Sequence, residues 1–318
     1  MIKLINIKKS FKYPTNRKYF FKKDYKYITA LDDISFEIKK GERVGYLGPN
    51  GAGKSSTIKI MCGILAPDEG SCLVDGLIPL KDRIKLASKI GVVFGNNSLL
   101  WREFPVINSF GLLKEIYKID SKLYKENLNN LVEELNISDL IKRPLKSLSL
   151  GEKMRCEIAA VLLHSPDILF LDEPTLGLDV ISKHIVRKII KKECEKRNIT
   201  LVVASHDMKD IEYLTNRIIL ISKGKILKDI SLEQFLNISP NKKIINLTHN
   251  EPFLSSSKAL KIVFQNGKTC IFELNTNILS TTDALKYILN KYKSISDISI
   301  SETSSENALI SLYKEFGI

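Results

Sequence analysis

The sequence predicts an α/β fold around a largely parallel sheet, and three stretches of the chain support this prediction. Residues 44–60 read as a short apolar strand, a glycine-rich loop and the start of a helix. Residues 168–171 and 201–204 are continuous apolar runs, which is typical of parallel strands buried on both faces. Titratable side chains follow both runs within two residues. Because α/β sheets bind ligands at the carboxyl ends of their strands, we expect these side chains to meet at one site.

The chain begins with two strand-like segments, residues 2–7 and 30–38, which we expect to pair as an antiparallel edge. Between them, residues 12–26 interleave Tyr and Phe with Lys and Arg. Over residues 1–30, nine Lys or Arg residues accompany one acidic residue, Asp24. Such a stretch can line a nucleic-acid or lipid-headgroup site. It can equally be an insertion whose aromatic side chains pack on the edge of the sheet, and both interpretations stay open.

Residues 44–60 contain Gly-x-x-x-x-Gly-Lys-Ser, the spacing of a Walker A phosphate-binding loop. Glycines let successive backbone N–H groups point at phosphate oxygens, and the helix N-terminus adds partial positive charge. We expect Lys54 to reach the β- and γ-phosphates and the Ser55 hydroxyl to bind Mg²⁺. The predicted nucleotide-binding residues of the loop are Gly48, Pro49, Asn50, Gly51, Ala52, Gly53, Lys54, Ser55 and Ser56. Glycine-rich turns also precede helices that bind nothing, but the Lys-Ser pair and the preceding strand favour a phosphate site.

The middle of the chain reads as two further strands followed by helices. Short strands are predicted at residues 71–74 and 91–94, with a turn at 67–70. From about residue 101 to residue 164 the apolar spacing is helical. This pattern predicts a helical insert, at about residues 97–165, within the α/β fold.

Two carboxylates end the apolar run at 168–171, as expected of a Walker B strand. Asp172 is predicted to hold Mg²⁺, and Glu173, one residue later, to face the water that attacks the phosphate. The run at 201–204 leads to His206. A histidine at a strand end can be purely structural, but in register with the two preceding motifs it is predicted to contact the γ-phosphate.

The last third of the chain changes character. Residues 218–221 and 226–227 read as a hairpin that closes a first domain, at 1–238. The segments that follow predict a small α+β accessory domain at 239–318, with strands at 244–247, 260–264, 270–274 and 295–300 and a helix at 282–292. This domain lacks clustered His, Cys or paired carboxylates, so we expect it to serve dimer contact or regulation rather than chemistry.

Composition is that of a globular chain, with 44% hydrophobic and 27% charged residues, which excludes disorder and fibrous repeats. No run approaches the ~18 apolar residues of a membrane span, and the first residues lack a signal peptide's apolar core, so a cytoplasmic chain is expected.

The formal charge of +13 points to nucleic acid or an anionic membrane surface as partners, or reflects a lysine-rich composition. The five cysteines are scattered, which predicts reduced core residues rather than zinc ligands or disulfides.

Taken together, residues 1 to about 235 resemble an ATP-binding cassette (ABC) ATPase. The deciding stretch is Leu148-Ser149-Leu150-Gly151-Glu152, which resembles the ABC signature Leu-Ser-Gly-Gly-Gln. Leu150 replaces the first signature glycine, and Glu152 replaces the glutamine. The resemblance implies an α/β P-loop ABC ATPase fold with a mixed sheet, an antiparallel β subdomain and the helical insert.

Further site residues follow from this resemblance. In the family, the signature of the opposite subunit caps the γ-phosphate with a serine hydroxyl and backbone amides, roles that fall here to Ser149 and Gly151. Asp179 corresponds to the D-loop aspartate, and Asn96 stands where the family usually has glutamine. The aromatic residue that stacks on adenine is predicted to be Phe11, with Tyr13 as the alternative.

One set of motifs in one chain implies a dimer, because each ATP needs a signature from another ATP-binding subunit, identical or different. Phrases such as Val93-Phe94-Gly95 and Trp101-Arg102 resemble ATPases that serve ABC-2-type export permeases. The resemblance thus implies an ATP-hydrolysing subunit that uses ATP and Mg²⁺ and lies on the inner face of the cell membrane beside a separate permease. The membrane contact is then indirect, and nucleic acid is not expected as a partner. The alternative is an ATP-gated dimeric binding module in a soluble or nucleic-acid complex with little hydrolysis.

The permease contact is predicted on the surface from Asn96 to about Ile119. Helix-in-groove docking needs exposed apolar anchors. The predicted anchors are Leu99, Leu100, Trp101, Phe104 and Val106. The alternative is that Trp101 and Phe104 belong to the core.

Overall fold

The computed structural model describes residues 1–14, 25–95, 98–238, 242–249, 257–292, 295–302 and 305–316. The chain forms two compact units, Met1–Leu232 and Glu233–Ile318. The division predicted from the sequence, between residues 238 and 239, stays a prediction. Within the described residues, no helix combines the length and the apolar character needed to cross a membrane.

The first unit alternates strands and helices along the chain. Its elements are β1 (Ile2–Pro14), β2 (Tyr25–Ile38), β3 (Arg43–Leu47), α1 (Lys54–Met61), β4 (Glu69–Val74), α2 (Arg83–Ala87), β5 (Ile90–Phe94), α3 (Val106–Ile116), α4 (Ser121–Glu134), a 3₁₀ turn (Leu145–Ser147), α5 (Leu150–Leu162), β6 (Ile168–Asp172), α6 (Val180–Arg197), β7 (Thr200–Ala204), α7 (Met208–Leu214), β8 (Arg217–Ser222) and β9 (Lys225–Ser231). The short helix α8 (Leu232–Leu236) follows at the boundary.

The central sheet has six strands in the order β5-β6-β7-β3-β8-β9. All neighbouring strands are parallel except β8 and β9, which form the predicted antiparallel hairpin. Every residue of β6 and of β7 is buried, because helices cover both faces of a parallel sheet. The mixed sheet and the α/β class are therefore as predicted, and the ends of β3, β6 and β7 lie side by side.

A second sheet of three antiparallel strands, in the order β2-β1-β4, forms the predicted N-terminal edge. Its strands are longer than predicted, since pairing continues from Ile2 with Ile38 to Pro14 with Tyr25. Part of the predicted insertion, residues 12–14 and 25–26, thus belongs to the two strands. The rest of it, residues 15–24, lies outside the described residues.

Helices α3, α4 and α5 occupy the region predicted to be a helical insert. Asp120 caps α4 by accepting hydrogen bonds from the backbone N–H groups of Lys122 and Leu123. The side-chain amide of Asn127 donates to the carbonyl oxygen of Leu163 at 2.8 Å, which joins α4 to the end of α5. The C-terminal end of the signature helix is thus anchored to α4.

The second unit contains β10 (Lys242–His249), β11 (Leu260–Asn266), β12 (Thr269–Asn275), α9 (Thr281–Lys291), β13 (Ile295–Glu302) and α10 (Ser305–Glu315). Its strands form an antiparallel sheet in the order β11-β12-β10-β13. Ile245 of β10 and Phe272 of β12 face a core that α9 covers through Ala284 and Ile288. The structure confirms the predicted α+β content, while α10 was not predicted. The role of this unit in dimer contact or regulation stays a prediction.

Candidate functional site

The loop between β3 and α1 can be made only with glycine at two of its positions. A Cβ atom on Gly48 would lie 2.3 Å from the carbonyl oxygen of Ile221. Gly53 has a φ of 109°, and a Cβ there would lie 2.7 Å from the carbonyl oxygen of Ala30. Both contacts are closer than a Cβ atom tolerates, and a positive φ favours glycine. Glycine at both positions therefore lets the loop pack closely against the backbone of Ile221 and Ala30.

The N-terminus of α1 is the positive end of this loop. Gly53 is the N-cap residue and has no side chain that could accept hydrogen bonds from the first-turn N–H groups. Such N–H groups, together with the helix dipole, form an anion-binding site. The loop and the start of α1 therefore fit the phosphate groups predicted from the spacing.

Lys54, the first residue of α1, is only 6% exposed. Its ammonium group donates to the carbonyl oxygens of Gly48 at 2.6 Å and Pro49 at 3.2 Å. Burial lowers the pKa of Lys54, while the carboxylates of Glu173 and Asp172 oppose this shift. The loop backbone thus holds a cation close to the two Walker B carboxylates.

Asp172 ends β6 and is buried. Desolvation raises the pKa of its carboxyl group, and a hydrogen bond from the Ser55 hydroxyl opposes that shift. The two side chains therefore place oxygen atoms together, which is the donor type that Mg²⁺ prefers. Among the described residues there is no group of three or more His, Cys, Asp or Glu that could hold a metal.

Glu173 leaves the strand with a φ of 56°, in the left-handed region that residues other than glycine adopt rarely. Its backbone N–H still donates to the carbonyl oxygen of Ala204 at 2.8 Å, at the end of the neighbouring strand β7. Its carboxylate oxygen Oε2 lies 2.7 Å from Nδ1 of His206. The left-handed backbone therefore places the carboxylate beside the predicted histidine.

A cleft of about 340 Å³ joins these parts. It is lined by Phe11, Tyr13, Ile28, Thr29, Ala30, Asn50, Gly51, Ala52, Gly53, Lys54, Ser55, Ser56, Asp172 and Glu173. The cleft is thus formed by three parts of the chain: the paired strands β1 and β2, the loop into α1, and the end of β6. Gly48 and Pro49 lie at the base of the loop, where they accept the Lys54 hydrogen bonds.

Both aromatic candidates for a base-stacking residue line this cleft. Phe11 and Tyr13 are alternate residues of β1 and so share a face of the strand. Phe11 is partly buried, whereas Tyr13 is 50% exposed. Ile28, the partner of Phe11 on β2, adds an apolar contact that sequence reasoning missed.

The signature turn is built as a helix cap. Ser149 is the N-cap residue of α5, its hydroxyl accepts from the N–H of Glu152 at 3.3 Å, and the Glu152 carboxylate accepts from the N–H of Ser149 at 2.7 Å. This reciprocal pair is a capping box. Glutamate in place of the signature glutamine therefore has a structural function. Leu150, in place of the first glycine, is 50% exposed.

Gly151 and Asp179 lie next to each other. A Cβ on Gly151 would lie 3.0 Å from a carboxylate oxygen of Asp179 and 2.4 Å from the hydroxyl oxygen of Ser182. Asp179 caps α6 by accepting from the N–H of Ser182 at 2.9 Å and from its hydroxyl at 2.7 Å. These hydrogen bonds lower the pKa of Asp179. Ser149, Gly151 and Asp179 do not line the cleft that holds the phosphate loop.

An exposed apolar surface surrounds these residues. Leu150 and Leu176 are about half exposed, and Val180 and Ile181 are 84% and 73% exposed. Side chains of this type seldom stay uncovered together. The signature turn thus lies within a surface suited to contact with another protein.

Hydrogen bonds that the sequence did not predict hold the segment around His206. The buried carboxylate of Asp210 accepts from the hydroxyls of Thr175 at 2.6 Å and Ser205 at 2.9 Å. Arg187 of α6 donates to Asp210 at 2.6 Å. Since these residues belong to separate segments, no local pattern could indicate their contact. Together they fix the segments that carry Glu173 and His206.

Asn96 lies outside the described residues, so its predicted role at the glutamine position stays a prediction. Two and three residues further on, the Ser98 hydroxyl bonds to the buried carboxylate of Glu157, and the N–H of Leu99 donates to the same carboxylate at 3.1 Å. Sequence reasoning missed Glu157. Its only signal is an acidic residue within the apolar run of α5.

Three of the five predicted docking anchors are exposed: Leu99 (39%), Trp101 (39%) and Phe104 (52%). The prediction was wrong for Leu100 and Val106, which are 4% and 0% exposed because they pack inside the helical region. A largely apolar groove of about 250 Å³ lies beside Leu99. Its lining includes Cys62, Ile64, Arg83, Tyr117 and His164.

A family model described as ABC transporter matches residues 31–176. The chain is 35% identical over 213 residues to the uncharacterized ABC transporter ATP-binding protein YhcH of Bacillus subtilis, covering 67% of this chain and 68% of that protein. It is 32% identical over 245 residues to the linearmycin resistance ATP-binding protein LnrL of the same species, covering 75% and 77%. A solved dimer of the ATP-binding cassette MJ0796 bound to ADP and Pi matches with a TM-score of 0.62 and 26% identity, over 73% of this chain and 99% of that chain.

Proposed function

The chain belongs to the ABC transporter family of ATP-binding proteins, and from this premise we propose that it is the ATP-hydrolysing subunit of an ABC-2-type exporter. ATP binding and hydrolysis are the activity of this cassette. The export function, the separate membrane permease and a peripheral position on the cytoplasmic face of the membrane are the proposed parts. The observation that carries the proposal is the single cleft in which the phosphate loop, Asp172 and Glu173 meet.

In the proposed mechanism, the triphosphate lies along the loop from Gly48 to Ser56. The backbone N–H groups and the N-terminus of α1 bind the phosphate oxygens. Lys54 exchanges its hydrogen bonds to the loop carbonyls for bonds to the β- and γ-phosphates. Ser55 and Asp172 would hold Mg²⁺, whose positive charge would neutralise the phosphate oxygens.

Glu173 orients the attacking water and accepts a proton from it as the new O–P bond forms, while the bond between the γ-phosphorus and the bridging oxygen breaks and ADP leaves. Its short contact with His206 supports this assignment, because the imidazole fixes the direction of the carboxylate. The side chain of His206 is 54% exposed, so it can contact the γ-phosphate while Glu173 contacts the water. The two residues act together, one on the water and one on the charge of the phosphate.

Adenine stacks on Phe11, the more buried of the two aromatic residues on the cleft side of β1. Tyr13 then covers the outer edge of the base. Aromatic stacking binds a base through its face and needs no hydrogen bond to its edge.

A second ATP-binding subunit completes the site. Ser149, Gly151 and Asp179 are separate from the cleft of their own chain, yet they lie in an exposed apolar surface. In a two-fold arrangement, this surface of one subunit meets the nucleotide of the other, so that one interface creates two sites. The partner is a second copy of this chain or a related cassette.

Two observations support export through a permease of the ABC-2 type. One relative is a linearmycin resistance ATP-binding protein, and resistance to a compound is consistent with its removal from the cell. The groove beside Leu99 also offers apolar contacts for a short cytoplasmic helix, with Trp101 and Phe104 exposed nearby. Asn96, in the segment before Leu99, keeps its proposed role at the position where the family usually has glutamine.

The test is affinity purification of the tagged chain from detergent-solubilised membranes. We expect a membrane protein with several spans to co-purify and to stimulate Mg-ATP hydrolysis. Recovery of only soluble partners, or salt-sensitive retention on nucleic acid, would contradict the exporter assignment.

A further inference from the structure

Glu157 is a carboxylate in an apolar setting. It lies in α5 and is 7% exposed, and its neighbours Cys156, Ile158 and Ala159 are fully buried. Burial raises the pKa of its carboxyl group. A carboxylate in this setting destabilises the fold unless hydrogen bonds compensate it. The partners of Glu157 therefore indicate what it holds in place.

Those partners all belong to one short segment. The N–H of Leu99 donates to Oε2 of Glu157 at 3.1 Å, and the Ser98 hydroxyl bonds to Oε1. The same hydroxyl oxygen lies 3.0 Å from the N–H of Leu100. Glu157 is thus the anchor of residues 98–100, which begin two residues after Asn96, the residue predicted at the glutamine position.

This segment forms the wall between two cavities. Ser98 and Leu99 line the groove of about 250 Å³. Ser98 also lines a second cavity of about 120 Å³, together with Glu157, Leu150 and Lys153. A helix that enters the groove would therefore press on side chains whose other side is bonded to α5.

Helix α5 connects Glu157 to the signature turn. Ser149 is eight residues away, which corresponds to about 12 Å along an α-helix. The capping box ties Ser149 and Glu152 to the first turn of the helix. Lys153 lies one turn from Glu157, and both line the smaller cavity, as does Leu150. A displacement at residues 98–100 would thus act on a continuous helix that Ser149 caps.

We propose that Glu157 is a positioning residue that links the groove to the signature turn. It bonds residues 98–100 to α5, so that occupation of the groove determines where Ser149 is presented. This inference rests on the proposed function, since it takes a permease helix to occupy the groove and Ser149 to act on nucleotide bound by a second subunit.

The experiment compares the full-length chain with Glu157→Ala and Glu157→Gln by amide hydrogen exchange and by steady-state ATPase assay. Glutamine keeps an acceptor for the Leu99 N–H, whereas alanine removes it. In Glu157→Ala we expect exchange to accelerate about tenfold both at residues 98–101 and at residues 149–153, a factor typical of one lost hydrogen bond. The ATPase kcat of Glu157→Ala should fall while KM for ATP stays within about twofold. Glu157→Gln should keep the exchange rates and the kcat of the unmodified chain.

A matched control is Glu193→Ala, which removes another buried carboxylate, one that pairs with Arg197 at 2.8 Å within α6. It should alter stability without changing exchange at residues 149–153. If Glu157→Ala does not fold, Ser98→Ala takes its place in the comparison, because it removes one of the two hydrogen bonds to Glu157.

Faster exchange at residues 98–101 with unchanged exchange at 149–153 would overturn the proposal, because Glu157 would then merely hold a loop. A kcat lost equally in Glu157→Gln would also overturn it. The exchange readout does not depend on catalysis. Failure of the proposed function, seen as absent ATP hydrolysis in the unmodified chain, is therefore distinguishable from failure of this inference.

Discussion

The carboxylate of Glu173 and the imidazole of His206 form a hydrogen-bonded pair, with 2.7 Å between Oε2 and Nδ1. The two residues follow neighbouring parallel strands, β6 and β7, and the left-handed backbone at Glu173 turns its side chain toward the histidine. Glu173 is therefore oriented by its own chain.

Glu173→Gln should lower ATP hydrolysis by ~10²–10⁴-fold, the usual contribution of a positioned general base. Glutamine keeps the shape and the hydrogen bond to His206 but removes the negative charge that draws a proton from water. Phosphate release by the purified variant measures the loss, and size-exclusion chromatography with Mg-ATP should reveal a trapped dimer. Lys54→Ala is the contrasting control, since it should lose nucleotide affinity and remain monomeric. Turnover close to that of the unmodified chain would remove Glu173 from the role of base.

Gly151→Ala should destabilise the fold by about 1–3 kcal/mol, the usual range for overpacking. The new Cβ would lie 2.4 Å from the Ser182 hydroxyl oxygen, so the starts of α5 and α6 must separate. Gly111→Ala is the matched control, because no atom lies within 4 Å of a Cβ at that position in α3. It should stabilise the protein by roughly 0.5–1 kcal/mol through helix propensity. Urea denaturation measures both changes, and equal effects in the two variants would contradict the packing argument.

Arg187→Ala should cost about 3–5 kcal/mol, because it leaves the fully buried carboxylate of Asp210 without its cation. Lys183→Ala is the comparison. Lys183 pairs with Asp207, which keeps Arg187 as a second cation at 3.0 Å, so the loss of Lys183 should cost no more than about 1 kcal/mol. Chemical denaturation of the two variants gives the difference in unfolding free energy. Similar values for both would show that the hydroxyls of Thr175 and Ser205 suffice to stabilise Asp210.

The capping box at the start of α5 predicts a pH dependence. The hydrogen bond from the Ser149 N–H holds the pKa of Glu152 below its usual value, so the folded state releases this proton more readily than the unfolded state. The contribution of Glu152 to stability is therefore present above its ordinary pKa of about 4.3 and is lost as the pH falls below that value. Glu152→Gln should reduce the slope of unfolding free energy against pH between about pH 5 and pH 3. An unchanged slope would indicate that this carboxylate does not stabilise α5.

Trp101→Ala combined with Arg102→Glu should uncouple ATP hydrolysis from transport if this surface contacts the permease. Trp101 is 39% exposed and follows by two residues Leu99, which lines the groove. ATPase stimulation by the co-purified permease is the readout. Tyr27→Ala combined with Lys26→Glu is the matched control, since it also removes an exposed aromatic residue and reverses a charge. Equal stimulation in both double variants would remove the Trp101 surface from consideration.

The sequence by itself determined the chemistry-bearing elements. Phosphate binding depends on residues that are adjacent in the chain, so the spacing from Gly48 to Ser55 was sufficient to predict the loop. The runs that end in Asp172 and His206 were equally informative, because a strand buried on both faces must be continuously apolar. The antiparallel N-terminal sheet also followed from local alternation, although its strands proved longer.

Only the tertiary structure decided which distant side chains meet. Glu157 bonds to Ser98 and Leu99, and Arg187 pairs with Asp210, across separations that no local periodicity records. The burial of Leu100 and Val106, beside the exposure of Trp101, has the same origin. The sequence shows which residues are apolar, whereas the packing of other elements determines which of them are buried. A site formed by the backbone of adjacent residues, such as the phosphate loop, can therefore be predicted from the sequence. Contacts between distant side chains depend instead on how the helices and strands pack together.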